Sequence, residues 1–202
     1  MLIRNANIND LDEIVSVHML AFKGFFLTNM GEPFLKLLYQ GFIGLEKGVI
    51  RVVEMDNKIV GFSAGTVSPN TFFSELKSTN WLSFAFASIL GILRSPIITL
   101  KKLYGALFYK GDAVESIENG ALLSSIAVLP SYSGKSIGAE LLKDFENHIL
   151  SLNINNQLYL TTDKYNNDRV VSFYKNAGFN IDSEFSQSGR RVMYRFVKKL
   201  QR

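Results

Sequence analysis

The sequence contains no cysteine, so the chain can form no disulfide and offers no thiolate to a metal ion. Its two histidines, His18 and His148, are far apart in the chain, and we therefore expect no histidine-based metal site. Proline is also scarce, with four residues, and no linker of biased composition divides the sequence. A chain of 202 residues is long enough for one sizeable core, so we predict a single domain spanning 1–202.

Charge of either sign is limited. The chain carries 22 Lys and Arg residues against 18 Asp and Glu residues, for a net charge of +4, and the basic residues form no long run. This balance is compatible with an anionic ligand but predicts no nucleic-acid binding. The first residues, MLIRNANINDLDEI, are polar and lack the pattern of a signal peptide, which favours a cytoplasmic location.

Hydrophobic periodicity predicts a regular succession of strands and helices. A β-branched hairpin is predicted at 49–55 and 58–67, where Asp-Asn joins the two runs. A buried strand at 121–129 precedes apolar residues with a helical period. A short helix near 170–177 is predicted to end at Gly178 as a left-handed cap. The predicted order is β, α, α, β, β, insertion, β, α, β, α, β, β, which indicates an α/β domain with a mixed sheet.

The most apolar stretch, 79–108, lies within a predicted helical insertion at about 70–115. Its longest uncharged part, Trp81–Leu93, has 13 residues, fewer than the ~20 that span a bilayer, and Arg94 and Pro96 interrupt the run. The insertion can pack on the core as extra helices, close an acceptor site, form a homodimer surface, or rest on a membrane through 81–108. The sequence leaves these interpretations open.

The stretch VLPSYSGKSIGAELL (128–142) places several small residues where a predicted strand becomes a predicted helix. Its Gly134-Lys135-Ser136 is similar to the end of a nucleotide-binding P-loop, but that motif needs a glycine at position 129, which is Leu. Two interpretations remain. The stretch is a simple turn in which Gly134 permits an unusual backbone angle, or its free amides, the helix dipole and Lys135 bind a phosphate.

A second segment, NNDRVVSFYKNAGF (166–179), favours the phosphate site. Together with SSIAVLPSYSGKSIGAELL (124–142), it resembles the GCN5-related N-acetyltransferase (GNAT) family, in which a strand ending in V-x-P leads into an R/Q-x-x-G-x-G/A loop. The matching residues are Val128, Pro130, Gly134, Lys135, Ile137 and Gly138, and then Asn167, Tyr174, Lys175, Gly178 and Phe179. Two positions depart from the pattern: Ser133 stands in place of the usual Arg or Gln, and Ser136 in place of the usual Gly.

The resemblance implies a central mixed, mostly antiparallel twisted sheet flanked by helices. It also implies acetyl-coenzyme A (acetyl-CoA) as cosubstrate and no metal ion. Main-chain groups around Ile126 to Val128 are then expected to bind the pantetheine arm, and backbone amides of the turn the pyrophosphate. The implied cosubstrate-binding residues are Ile126, Ala127, Val128, Ser133, Gly134, Lys135, Ser136, Ile137, Gly138, Ala139, Asn167 and Tyr174.

The same resemblance implies roles for individual side chains. Tyr174 is expected to be the general acid that protonates the departing thiolate, which a phenol with a pKa of about 10 can do. From spacing alone, Tyr174 would simply pack on the apolar face of its helix. Asn167 is expected to hydrogen-bond the cosubstrate, to cap the helix, or both. The general base stays open: Glu118, Asp163 and His18 are candidates, and an amine of modest pKa needs none.

The implied reaction is transfer of an acetyl group from acetyl-CoA to a primary amine of a small molecule. The aromatic segment 21–39 lies where the family shapes its acceptor pocket. It is similar to segments of members from bacterial surface-sugar synthesis, which favours an amino sugar or a nucleotide-linked amino sugar. The alternatives are an O-acyl or protein-amine acyltransferase of the same fold, and a non-catalytic protein that binds coenzyme A or a membrane surface.

Overall fold

The computed structural model describes residues 1–94, 120–154, 156–187 and 191–201, with the main chain alone for 90–94. Its strands are β1 (Leu2–Asn5), β2 (Gly48–Met55), β3 (Lys58–Thr66), β4 (Ala121–Val128), β5 (Gln157–Asp163), β6 (Asn180–Gln187) and β7 (Arg191–Lys199). Its helices are α1 (Leu11–Ala21), α2 (Phe26–Met30), α3 (Glu32–Gly44), α4 (Pro69–Arg94), α5 (Ile137–Ser151) and α6 (Asp168–Asn176). Short 3-10 turns occupy Ile8–Asp10 and Pro130–Tyr132. The predicted order of elements is confirmed, with the short helix α2 as an addition.

The strands form one sheet in the order β1-β2-β3-β4-β5-β7-β6. Every neighbouring pair is antiparallel except β4 and β5, which run parallel. The predicted mixed, mostly antiparallel sheet flanked by helices is therefore confirmed. The β2–β3 hairpin turns at Asp56 and Asn57, whose φ angles of 51° and 60° are the left-handed conformation that a tight two-residue turn requires.

Helices cover both faces of the sheet. Neighbouring side chains of a strand point to opposite faces. In β2, Ile50 and Val52 accordingly pack with α1 and α3, whereas Val49 and Val53 pack in clusters that contain α5. The largest buried side chains on the α1 and α3 face are the aromatic residues Tyr39, Phe42, Phe62 and Phe72. On the other face, Phe145 of α5 and Tyr174 of α6 share a cluster with Phe196 of β7.

The sheet divides between β4 and β5. Their parallel pairing comprises two residue pairs, Ala121 with Leu158 and Leu122 with Tyr159. Beyond these pairs, β4 stays paired with β3 as far as Val128, and β5 stays paired with β7 as far as Asp163. The two halves of the sheet therefore separate toward the C-terminal ends of β4 and β5, and we call the space between these two strand edges the gap.

The predicted insertion is helical where the structure describes it. Helix α4 spans Pro69–Arg94 and bends at Asn80, whose φ of −130° is not helical. Trp81, Leu82 and Phe86 of this helix are exposed. Residues 95–115 of the predicted insertion lie outside the described residues, and so does the second half of 81–108. No helix in the described ranges is both long and apolar enough to span a membrane.

Candidate active site

The edge of β4 that borders the gap carries main-chain groups able to bind a ligand. The Leu129 N–H donates to the Val60 carbonyl of β3 at 2.8 Å. Because main-chain groups in an antiparallel pair alternate between the two edges of a strand, those of Ala127 also face β3, whereas those of Ile126 and Val128 face the gap. Of the three residues predicted to bind the pantetheine arm, two therefore direct their main chain toward the gap. Ala127 instead buries its side chain in the core.

The turn after β4 contains two residues in the left-handed conformation. Gly134 has a φ of 80° and Ser136 a φ of 59°, and α5 begins directly afterwards. Within the described residues, the N–H groups of 134–138 donate to no other protein atom, whereas the Ala139 N–H donates to the Ser136 carbonyl at 3.0 Å. The free N–H groups of 134–138 lie at the positive end of a helix, and we call this set the cradle. It has the geometry of an anion site.

Two basic side chains flank the cradle. The Lys135 ammonium lies 4.8 Å from the centroid of the Tyr132 ring. Arg169, in the first turn of α6, donates from Nη2 to the Ser133 hydroxyl at 3.4 Å. Arg169 is not among the residues predicted from the sequence. Its position in the sequence, two residues after Asn167 at the start of a predicted helix, could have indicated it as a basic residue near the turn. Positive charge therefore reaches the turn from two separate elements.

Tyr174 of α6 is buried on the α5 and α6 face. Its ring contacts those of Phe173, Phe179 and Phe196 at centroid distances of 5.1, 5.8 and 5.8 Å. Burial raises the pKa of the Tyr174 hydroxyl above its ordinary value, so the phenol is protonated at neutral pH. The side chain of Ile126 packs against the same cluster, which connects Tyr174 with the gap-facing part of β4.

Asn167 is the N-cap residue of α6, but its side chain makes no capping hydrogen bond. The side-chain amide instead donates to the Thr162 hydroxyl at 2.8 Å and to the Asp163 carbonyl at 2.9 Å. The expectation of a side-chain cap is therefore wrong, because the amide turns back toward the end of β5. Asn167 accordingly lies at the C-terminal end of β5, on the border of the gap.

The candidate general bases lie in different surroundings. Both carboxylate oxygens of Asp163 accept hydrogen bonds from Arg191, and this contact raises the pKa of Arg191 and stabilises the ion pair. His18 is buried, which lowers its pKa to about 4, and its Nδ1 lies 2.7 Å from the Tyr39 hydroxyl. Glu118 lies outside the described residues. Neither Asp163 nor His18 is therefore a free, solvent-exposed base.

Comparison with known proteins agrees with this architecture. Residues 98–179 match the family model described as "Acetyltransferase (GNAT) family". The ribosomal-protein-S18-alanine N-acetyltransferase from Escherichia coli aligns with a TM-score of 0.62 and 14% identity, over 100% of this chain and 94% of that chain. A putative GNAT-family acetyltransferase from Desulfovibrio desulfuricans aligns with a TM-score of 0.65 and 13% identity, over 99% of both chains. The PaiA N-acetyltransferase from Thermoplasma acidophilum, solved in complex with coenzyme A, gives a TM-score of 0.55 and 16% identity, over 98% of both. No curated protein matches the chain.

At these identities the solved structures establish the fold alone. The family match is more local, and within the described residues it covers β4, the turn, α5, β5 and α6. Its first residues, 98–119, lie outside the described part of the chain. The residues that match the family model therefore include the gap-facing strand β4, the cradle and Tyr174.

Proposed function

We propose that this chain is a GNAT-type acetyltransferase and that it transfers an acetyl group from acetyl-CoA to a primary amine of a small molecule. One observation carries the proposal. The main chain of Ile126 faces the gap, its side chain packs against the cluster that contains Tyr174, and the cradle at 134–138 follows β4 directly along the chain. A thioester on an extended arm that ends in a diphosphate can use all three features at once.

Main-chain groups supply most of the proposed contacts with acetyl-CoA. The groups of Ile126 and Val128 can pair with the amides of an extended pantetheine arm in the manner of an added strand. The cradle can bind the diphosphate, and Lys135 and Arg169 add positive charge beside it. Because the cradle consists of backbone N–H groups, serine side chains at 133 and 136 do not remove it.

The reaction forms a C–N bond and breaks the C–S bond of the thioester, so the amine loses one proton and the departing thiolate gains one. We assign the proton gained by the thiolate to Tyr174, whose phenol is protonated at neutral pH. The proton lost by the amine has no assigned base, because Asp163 is paired with Arg191 and His18 with Tyr39. We therefore propose that the amine reacts in its neutral form and releases its proton to water.

The proposed acceptor is an amino sugar, free or nucleotide-linked. In the aromatic segment 21–39, Phe25 is exposed and lies edge-to-face against Phe22 at 5.6 Å, which offers a ring to the apolar face of a sugar. A protein amine is the second candidate, because one neighbour of the same fold is named as a ribosomal-protein alanine acetyltransferase. The surface-sugar assignment, the cytoplasmic location, the homodimer and the membrane contact through 81–108 stay predictions.

Calorimetric titration with acetyl-CoA, followed by turnover assays with glucosamine, spermidine and an alanyl peptide, tests the proposal. We expect acetyl-CoA to bind and glucosamine to be acetylated faster than the other two amines. Turnover of the peptide alone would support the protein-amine candidate instead. Absence of acetyl-CoA binding, or binding without turnover of any amine, would contradict the proposed function.

A further inference from the structure

Helix α4 changes its character at the bend. Before Asn80, Phe72 and Leu76 are buried in the core, and the exposed positions of the helix are polar, among them Glu75 and Ser78. This is the ordinary arrangement of a helix on a protein surface, with its apolar side inward. After the bend, most of the described large apolar side chains are exposed instead, so the arrangement is reversed.

The inward side of α4 beyond the bend is defined by two residues. Phe84 lies edge-to-face against Phe34 of α3, with 5.2 Å between the ring centroids. Ser88, one turn later, is buried and donates its hydroxyl to the Phe84 carbonyl at 2.7 Å. The polar residue of this part of the helix is therefore turned toward the protein, and the opposite side is left to apolar residues.

Four large apolar side chains are exposed in this part of the helix. Trp81, Leu82, Phe86 and Ile89 are 63%, 53%, 72% and 47% exposed, and we call this set the outer α4 face. Leu82, Phe86 and Ile89 are spaced i, i+4 and i+7, which aligns them in one stripe along the helix. Apolar residues exposed singly are ordinary, but a contiguous stripe marks an interaction surface.

The distribution of charge along the chain indicates what this surface binds. The segment 81–111 contains no acidic residue and four basic ones, Arg94, Lys101, Lys102 and Lys110. The rest of the chain carries 18 Lys and Arg residues, four fewer than the total of 22, and all 18 Asp and Glu residues. The whole net charge of +4 therefore belongs to the segment that begins with the outer α4 face. Apolar and aromatic side chains combined with basic residues are how a helix binds an anionic lipid surface.

Other partners fit this face less well. A symmetric dimer would bring the same segment of two copies together, and their excess positive charges would repel. A membrane-spanning helix needs ~20 apolar residues, whereas the uncharged run 81–93 has 13. The helix is therefore suited to lie on a membrane surface and not to cross the membrane.

We propose that the outer α4 face binds the surface of a membrane that contains anionic lipids. Trp81 then lies at the level of the lipid headgroups, where tryptophan is favoured, and the stripe of Leu82, Phe86 and Ile89 faces the acyl chains. The inference does not depend on the proposed function, because no residue of the outer α4 face belongs to the gap or the cradle.

Trp81 is the single tryptophan of the chain, so tryptophan fluorescence reports directly on the outer α4 face. We expect its emission to shift to shorter wavelength when the full chain meets vesicles of phosphatidylcholine and phosphatidylglycerol in equal parts. Brominated acyl chains in these vesicles should quench the emission. Vesicles of phosphatidylcholine alone should bind roughly tenfold more weakly or less, and added salt should weaken binding to the anionic vesicles, because salt screens surface charge.

Ile89→Glu and Ile154→Glu form a matched pair of variants. Each replaces an exposed isoleucine by the same negative charge, but Ile154 follows α5, the helix on the other face of the sheet. Neither change removes a buried side chain, so both variants should fold. We expect partitioning onto the anionic vesicles to fall roughly tenfold in Ile89→Glu and less than about twofold in Ile154→Glu.

Several results would overturn the inference. The wild-type measurement does so alone if the emission of Trp81 does not shift with anionic vesicles, or if both kinds of vesicle bind equally. Equal losses in Ile89→Glu and Ile154→Glu would exclude the outer α4 face as the contact. An emission shift without lipid that grows with protein concentration, together with a doubled mass in sedimentation, would assign the face to a second copy. Protection of Trp81 from acrylamide in the lipid-free monomer would show that the chain itself covers the face.

Discussion

At the scale of single residues, the hydroxyl of Tyr174 can be removed without disturbing its surroundings. Tyr174→Phe retains the ring and its contacts with Phe179 and Phe196, so the variant should fold. If the hydroxyl protonates the thiolate, we expect kcat to fall by about 100-fold or more, the usual contribution of a general acid. The Kd for acetyl-CoA should not change, because the cradle and the edge of β4 are intact.

Tyr194→Phe is the matched control for this change, because Tyr194 packs against the same core cluster and loses the same hydroxyl. Turnover is followed by release of the free thiol, and the Kd for acetyl-CoA by calorimetry. If Tyr174→Phe turns over as fast as Tyr194→Phe, the proton comes from another group.

The residues that the sequence could identify are those within a local pattern. Gly134 and Tyr174 each stand in a short motif, and the left-handed backbone predicted at Gly178 is confirmed by a φ of 86°. The pairing of His18 with Tyr39 and of Asp163 with Arg191 could not be predicted, because each pair joins separate elements. No periodicity or spacing reports such a contact, which depends on how distant elements pack.

At the scale of secondary-structure elements, the shape of the turn before α5 depends on Gly134. A Cβ added there would meet no atom within 4 Å, so the cost of Gly134→Ala comes from its φ of 80° rather than from a clash. Gly24 has a φ of 81° and equally open surroundings, but it lies between α1 and α2, away from the cradle. The two positions therefore share the backbone strain and differ in their relation to the proposed diphosphate site.

We expect Gly134→Ala and Gly24→Ala to lower the free energy of unfolding by a similar amount, about 1–2 kcal/mol each. Only Gly134→Ala should also weaken acetyl-CoA binding, because it displaces the N–H groups of the cradle. Urea unfolding measures the first effect and calorimetry the second. An unchanged Kd in Gly134→Ala, at a stability loss equal to that of Gly24→Ala, would contradict the assignment of the cradle.

Elements with strong periodicity were predictable, and irregular ones were not. The hairpin of β2 and β3 and the apolar face of α5 are confirmed because their patterns run for several residues without interruption. Helix α2 has only five residues, too few for a period to show. The bend of α4 occurs at Asn80, where no proline or glycine marks it in the sequence.

At the scale of the whole molecule, the order of the strands decides where the gap lies. Strand β7 inserts between β5 and β6, and β4 meets β5 in the one parallel pairing among the described strands. Residue patterns indicate that a strand exists but not which strand lies beside it. The two-pair contact between β4 and β5 was therefore not predictable from periodicity, and the GNAT resemblance implied no more than the type of sheet.

The gap leads to a residue-resolved prediction for amide hydrogen exchange. In the free protein, the N–H groups of Ile126 and Val128 face the gap and should exchange faster than that of Ala127, which faces β3. Saturating acetyl-CoA should slow exchange at Ile126, Val128 and the cradle, because a bound arm and diphosphate accept hydrogen bonds from them. Ligand at about 100 times its Kd also adds about 2.7 kcal/mol to the stability of the folded state.

The amide of Ala127 is the internal control, because its exchange can slow only through this global stabilisation. Nuclear magnetic resonance resolves these amides one by one, and equal slowing at all three β4 positions would show that the arm does not pair with this edge.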